Sequence, residues 1–194
     1  MSNAVNVIGE KMKTIRESQN MPVAEVAEKS KCPTALIEKL EAGELVPSLT
    51  PLLKITRALG VRLGTLLDDM ESTGPVVHRA AERERVIHFS GEQSSADKSQ
   101  LDFFALAQNK ADRHIEPFLI KVHPLPVGAK NQLSSHEGEE FIYVLSGGLQ
   151  IIYGNETYHL QKGDSIYLDS VVPHSVFAEA GIETEILASI YEPQ

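Results

Sequence analysis

The chain of 194 residues has one cysteine, no tryptophan and only 6 % aromatic residues. A lone Cys32 cannot close an internal disulfide, so a disulfide-stapled scaffold and a cysteine-rich zinc module are both excluded. A reducing cytoplasm is the expected compartment. No run approaches the roughly 18 apolar residues that a membrane-spanning helix needs. The longest such region, 141–153, is broken by Ser146, Gly147 and Gly148. The start, MSNAVNVIGEKMK, lacks the basic segment and apolar core of a secretory signal. Internal repeats and low-complexity segments are also missing. What is present, 42 % hydrophobic and 23 % charged residues, is the balance of an ordinary globular protein with one or two small domains.

Basic charge is scarce, and unevenly so. The net charge is −9. Residues 1–70 carry nine Lys/Arg and nine Asp/Glu, whereas 71–194 carry nine basic and eighteen acidic residues. The back half repels nucleic acid. Any DNA contact therefore falls to the front half, which has no basic excess of its own.

Periodicity divides the chain at the same place. From Val7 to about Met70 apolar residues recur at helical spacing, in five segments: Ile8, Met12 and Ile15; Val23, Val26 and Ala27; Leu36, Ile37 and Leu40; Leu52, Leu53, Ile55 and Leu59; Leu63, Leu66 and Leu67. Gly43 and Gly60 terminate the third and fourth, and Ser48 is the expected N-cap of the fourth. Residues 71–100 read as a polar linker and entry to the second domain, with 91–100 as a surface loop. From 101 to 194 the period becomes two, in the runs FLIKV, EEFIYVL, LQIIYG, ETYHL, DSIYL, HSVFA and EILASIY. Gly154-Asn155 is a two-residue hairpin signal. Many short strands in this length predict an antiparallel sandwich or barrel. The expected fold is thus multidomain α + β, a five-helix head followed by an antiparallel β body.

The stretch 23–43, VAEVAEKSKCPTALIEKLEAG, pairs two short helices with Ala27 as the small residue at their crossing. This spacing, with Leu36-Ile37-Glu38-Lys39-Leu40-Glu41-Ala42-Gly43 and the following turn through Leu49, resembles the helix-turn-helix of the Cro/C1-type (XRE) DNA-binding family. The resemblance covers the whole head. It implies a structural salt bridge between Arg16 and Glu41. It also implies that the third helix, from about Pro33 to Glu41, enters the major groove. Lys31, Pro33, Thr34, Ala35, Glu38 and Lys39 are then the DNA-facing candidates. Thr34 suits several bases, the Ala35 methyl a thymine methyl, Glu38 a cytosine amino group, and Lys39 guanine or phosphate. Lys31 and Lys13 suit phosphates. Two positions depart from the family: the glutamine that often opens the second helix is Val23, and the usual turn glycine is Lys31. A left-handed Lys31 costs on the order of 1 kcal/mol.

Of seven histidines, His136 and His174 sit in patterned surroundings. One pattern runs Gly128, Ser134, His136, Glu140, Gly147; the other runs Gly163-Asp164, Asp169, Val171, Pro173, His174. Together they resemble the two signature motifs of the cupin superfamily, whose fold is a jelly-roll β-barrel. The family's first motif supplies two histidines and a glutamate and its second one more histidine; Ser134 stands at the first histidine. The resemblance leaves His136, Glu140 and His174 as metal ligands. On one continuous strand His136 and Glu140 would lie about 13 Å apart. The turn-forming Glu137-Gly138-Glu139 between them brings the two side chains together instead. Two histidines and a carboxylate suit Fe(II), with Zn, Mn or Ni also compatible. Without a metal, His136 and Glu140 are expected to hydrogen-bond each other. The strand face shared by Glu140, Ile142 and Val144, with Ser134 at its mouth, is the expected effector pocket.

A Cro/C1-type head on a single cupin resembles a group of bacterial transcription regulators. It implies a homodimer or higher homo-oligomer that binds double-stranded DNA at a palindromic operator and responds to a small-molecule effector, without a membrane partner. The chain is also similar to the hydroxypropylphosphonate epoxidases, non-haem iron enzymes with the same domain order and ligand set. Their active-site lysine falls near Asn20 here and their tyrosine near 104–106, where this chain has neither residue.

Overall fold

The computed structural model describes residues 3–45, 49–68, 73–82, 87–89, 101–111, 113–124 and 133–193; for 3–6 and 87–89 it describes the backbone alone. Ser48, the loop 91–100 and Gly128 lie outside these residues. The chain divides into two compact units, Met1–Glu71 and Ser72–Pro193.

The first unit holds α1 (Asn3–Ser18), α2 (Val23–Ser30), α3 (Thr34–Glu41), α4 (Leu49–Ala58) and α5 (Leu63–Leu67). Pro22 and Pro33 stand immediately before α2 and α3. A helix start is where a missing backbone N–H costs least. Left-handed residues close the helices: Lys31 after α2, with φ 55° and ψ 32°, Gly43 after α3 and Gly60 after α4. Ile8, Met12, Val26, Ile37, Leu40, Leu53, Ile55 and Leu66 fill the core, each buried as the helical spacing requires. The backbones of α1 and α3 approach closely at Gly9. A Cβ on Gly9 would lie 2.1 Å from the Leu40 carbonyl oxygen, so only glycine fits.

Among the described residues the second unit holds a short 3₁₀ turn, Ala80–Glu82, and nine strands. One antiparallel sheet has the order β1-β2-β3-β9-β4-β7; the other has β6-β5-β8. The strands are β1 (Ile87–Phe89), β2 (Leu101–Ala105), β3 (Ile115–Val122), β4 (Glu139–Ser146), β5 (Gly148–Tyr153), β6 (Glu156–Gln161), β7 (Ser165–Asp169), β8 (His174–Ala178) and β9 (Thr184–Tyr191). β1 stands inside the stretch read from sequence as linker and entry. Its three residues are too few to show a period. Gly154 and Asn155 join β5 to β6 as a two-residue hairpin, with Gly154 at φ 59°.

Alternation decides which face of the larger sheet is buried. On β4, Glu140, Ile142 and Val144 are buried while Phe141 and Tyr143 point out. Their partners on β9 are Ile190, Ala188 and Ile186, all buried. Phe118 and Ile120 on β3 continue the same rows. From the smaller sheet, Leu149, Ile151 and Leu160 are buried. The row Glu140–Ile190 is the polar end of this otherwise apolar face, and it positions the site.

Candidate functional site

In the head, α3 buries Leu36, Ile37 and Leu40 and leaves Pro33, Thr34, Ala35 and Glu38 exposed, with Lys39 half-buried beside them. Lys31 is exposed at the turn between α2 and α3, where its left-handed backbone lets its N–H reach the Ala27 and Glu28 carbonyls. The DNA-facing candidates therefore lie on the solvent side of the helix pair. Lys13 is exposed on α1, 4.0 Å from Glu17.

Arg16 holds this arrangement from behind. Its Nε donates to Glu41 Oε1 at 2.6 Å, one Nη to Glu41 Oε2 at 2.8 Å, and the other Nη to the Met21 carbonyl at 2.9 Å. The fork is nearly sealed from water, with side chains 11 % and 9 % exposed. The hydrogen bonds it donates to Glu41 raise the Arg16 pKa above its ordinary value, against the opposing effect of burial. Both charges are satisfied inside the domain, so the pair fixes the end of α1 against the end of α3.

In the body, the ligand loop and two strands converge. His136 precedes β4, Glu140 is on β4 in the larger sheet, and His174 opens β8 in the smaller one. Gly138, at φ 108°, makes the bend between His136 and Glu140; a Cβ there would lie 2.0 Å from the Tyr191 carbonyl oxygen. Backbone bonds stitch the loop down: Ser134 and His174 exchange N–H and C=O at 2.9 Å, His136 N–H reaches Ser170 O at 3.0 Å, and Ser170 N–H reaches Gly138 O at 2.9 Å.

The three side chains are buried and offer ligand atoms within 4.8 Å of one another. Glu140 Oε1 lies 2.7 Å from His136 Nε2 and 3.4 Å from His174 Nε2. Each histidine turns its Nδ1 to a backbone carbonyl, Glu137 O and Val172 O, both at 2.9 Å. A carbonyl can only accept, so Nδ1 carries the proton and Nε2 is left facing the carboxylate. Two such nitrogens around an anion need a cation among them, a proton or a metal ion. Burial alone would raise the Glu140 carboxyl; hydrogen bonds from His136 and His174 outweigh it and hold it at about 2. Burial pulls His174 down, but the Glu140 carboxylate more than compensates, and the imidazole sits above its ordinary value. These donors fit a divalent ion in type, tautomer and spacing.

Ser170, fully buried, donates its hydroxyl to Glu140 Oε1 at 3.1 Å. Sequence reasoning missed it, because a serine in a turn has no periodic signal. Ser134 is half-buried and adjoins the site through its backbone pairing with His174. Ile142 and Val144 are buried on the Glu140 face, one and two steps further along β4.

Comparison with known proteins agrees with this division. Residues 12–66 match the helix-turn-helix family model and 122–190 the cupin domain model. Over 70 residues the chain is 34 % identical to an uncharacterised protein of Methanocaldococcus jannaschii, covering 36 % of this chain and 56 % of that one. The chain thus spans little more than half the length of that relative. It is 22 % identical over 167 residues to the HTH-type transcriptional regulator PuuR of Escherichia coli, covering 86 % and 85 % of the two chains. Among solved structures, an HTH_3 family transcriptional regulator from Vibrio cholerae superposes with a TM-score of 0.67 at 20 % identity, over 97 % of both chains. The Fe(II) form of HppE superposes with a TM-score of 0.50 at 23 % identity, over 98 % and 100 %. At those identities the structural likeness is one of fold. The two family matches and their order make the chain a Cro/C1-type helix-turn-helix protein with a C-terminal cupin domain.

Proposed function

We propose that the chain is a cytoplasmic, homodimeric transcription regulator. Its head binds a palindromic operator, and its cupin domain takes a small-molecule effector beside a divalent ion held by His136, Glu140 and His174. The observation that carries the sensing half is the buried triad, with two imidazole Nε2 atoms turned on one carboxylate oxygen. An ion there, whether Fe, Zn, Mn or Ni, supplies a Lewis-acidic point for a polar effector group. Glu137 O and Val172 O orient the two imidazoles and Ser170 orients the carboxylate. Ser134, Ile142 and Val144 form the polar mouth and apolar wall of the effector pocket.

On the DNA side, α3 enters the major groove with Thr34, Ala35 and Glu38 nearest base edges, while Lys31, Pro33 and Lys39 approach the backbone or flanking bases. A two-fold dimer sets two such helices about 34 Å apart. Effector control requires different effector affinity in the DNA-competent and incompetent states. The test is fluorescence anisotropy of the full chain on its own promoter DNA against scrambled DNA at two salt concentrations. Sequence-preferring binding that weakens with salt supports the reading. Thr34→Ala should cost about 1–3 kcal/mol on the preferred sequence and little on scrambled DNA. Calorimetric titration of Fe(II), Zn, Mn and Ni into the metal-free protein tests the other half. Binding that is lost in His136→Ala supports the assigned ligands.

The same donor set also favours a second reading, an iron-dependent oxidation of the kind the HppE enzymes perform. Against it, Asn20 and Phe104 to Leu106 supply neither the lysine nor the tyrosine of those enzymes. Oxygen consumption by the iron-loaded chain with a hydroxyalkylphosphonate would favour it over the regulator.

A further inference from the structure

The triad is closed to water: the side chains of His136, Glu140 and His174 are 3 %, 9 % and 6 % exposed. Anything that joins it must pass a cover that can move. Backbone hydrogen bonds of 2.9–3.0 Å fix Ser134, His136, Gly138, Ser170 and His174 around it. Tyr153 is held differently. His174 directs its N–H and C=O at Ser134, so it meets Tyr153 on β5 as a non-hydrogen-bonded pair. In such a pair the Cα atoms lie about 4.5 Å apart and the side chains stand together on one face. Here that is the inner face, since His174 turns into the triad. From there the Tyr153 hydroxyl reaches across to β7 and donates to the Asp169 carbonyl at 3.3 Å. Asp169 lies between Leu168, the strand partner of Glu140, and Ser170, the hydroxyl donor to Glu140. The ring therefore spans from the sheet of His174 to the sheet of Glu140, alongside the triad.

The same row leads outward. Beyond Tyr153 it continues to Glu156 on β6. His174 is buried, Tyr153 half-buried and Glu156 exposed. Along β6 the inward residues open in the same direction, Leu160 being 6 % exposed and Tyr158 39 %. The cause is topological. β6 and β7 leave one tight turn, closed by Asp164 N–H on Gln161 O at 2.9 Å, and enter different sheets. The seam between them widens away from that turn, and Tyr153 crosses its wide end. We propose that this seam is the entrance by which a divalent cation reaches the triad, with Glu156 at its outer end and Tyr153 as its gate. The entrance rests on the ion site proposed above and adds how that site is filled. Its closure is a side chain with one long, solvent-exposed hydrogen bond. It opens by rotation of the ring and leaves the stitched backbone intact. Its charge suits a cation. Glu156 offers a carboxylate, to which Tyr158 donates, and residues 71–194 carry nine more acidic than basic side chains.

The test is the rate of Zn(II) uptake and release by the full chain, followed by stopped flow against a zinc-responsive chelator. A gate slows both directions equally and leaves the equilibrium alone. Tyr153→Ala should therefore speed uptake and release by roughly tenfold or more each, with the dissociation constant within about threefold of wild type. Tyr153→Phe keeps the ring and loses the latch, and should speed both by roughly threefold. A side chain that merely holds the shape of the site would raise release alone and weaken affinity. Glu156→Gln should slow uptake about threefold at low salt and leave it unchanged near 1 M salt, where charges are screened within about 3 Å. Unchanged rates in both Tyr153 variants, or release that rises alone, overturn the gate and leave the ion site standing. Wild-type uptake by Glu156→Gln at low salt overturns the acidic outer end. A wild type that takes up none of Fe(II), Zn, Mn and Ni overturns the ion site and its entrance together.

Discussion

Each half of the molecule buries a cluster of charge, and the two clusters are built to opposite ends. Arg16 and Glu41 form a closed pair in the head: two parallel hydrogen bonds between opposite charges, with a spare Nη on a backbone carbonyl. Nothing has to be added to neutralise it. In the body, His136, Glu140 and His174 aim one carboxylate and two ring nitrogens at a common point, and their Nδ1 protons are committed to Glu137 O and Val172 O. That cluster is neutral only when a proton or an ion joins it. The first is a closed fastening and the second is open to a further cation, although both are sealed from water to a similar degree. Burial and proximity of charged groups do not separate the two; the accounting of donors and acceptors does.

Breaking the closed pair should produce the largest effect. Glu41→Ala leaves the buried Arg16 guanidinium with only the Met21 carbonyl and the exposed Glu17 carboxylate at 3.6 Å, and should destabilise the head by about 3 kcal/mol, read by thermal or urea unfolding. The paired replacement Arg16→Met, Glu41→Leu should recover most of that loss. The open cluster should instead respond to acid. Glu140 is held at about 2, below its ordinary 4.5, so its stabilising contribution to the metal-free body is complete above pH 4.5 and is lost as pH falls toward 2. On the order of 3 kcal/mol is at stake, measurable as a melting temperature in chelator across that range. The raised His174 works in the other direction, contributing below its ordinary value near 6.5 and losing that contribution as pH rises through its folded value. An acid limb that is unchanged in Glu140→Gln would contradict this account.

Smaller effects sharpen the contrast. Ser170→Ala removes one donor to Glu140 without touching a ligand, and should weaken divalent-ion binding roughly 10–100-fold with the fold intact. Ser170→Thr, which keeps the hydroxyl, should restore part of it. Smallest is Lys31→Gly, which relieves a left-handed lysine and should stabilise the head by about 1 kcal/mol or less. DNA affinity in that variant reports separately whether the Lys31 side chain reaches a phosphate.

How much of this was readable beforehand varied with the range of the interaction. The five helices and their left-handed ends follow from local spacing and turn residues, because each helix satisfies its own backbone. The alternation in Glu140-Phe141-Ile142-Tyr143-Val144 likewise marked a strand and a shared face. The Arg16–Glu41 pair and the histidine ligands came with the two family resemblances, and the Glu137-Gly138-Glu139 bend gave the ligand grouping independent support. Sheet order was not readable: β9, the last strand, inserts between β3 and β4, and periodicity carries no information about partners so distant in the chain. β1 was too short to register. Ser170 was invisible because its role depends on a carboxylate thirty residues away.

The placement of the triad on two different sheets has a mechanical consequence. Glu140 belongs to the six-stranded sheet and His174 to the three-stranded one, while His136 rides on a loop hydrogen-bonded to both neighbourhoods. An ion gripped by all three would rivet the two layers at one end of the sandwich, and its loss would free that end to splay. The separation of the sheets would then track occupancy of a single point.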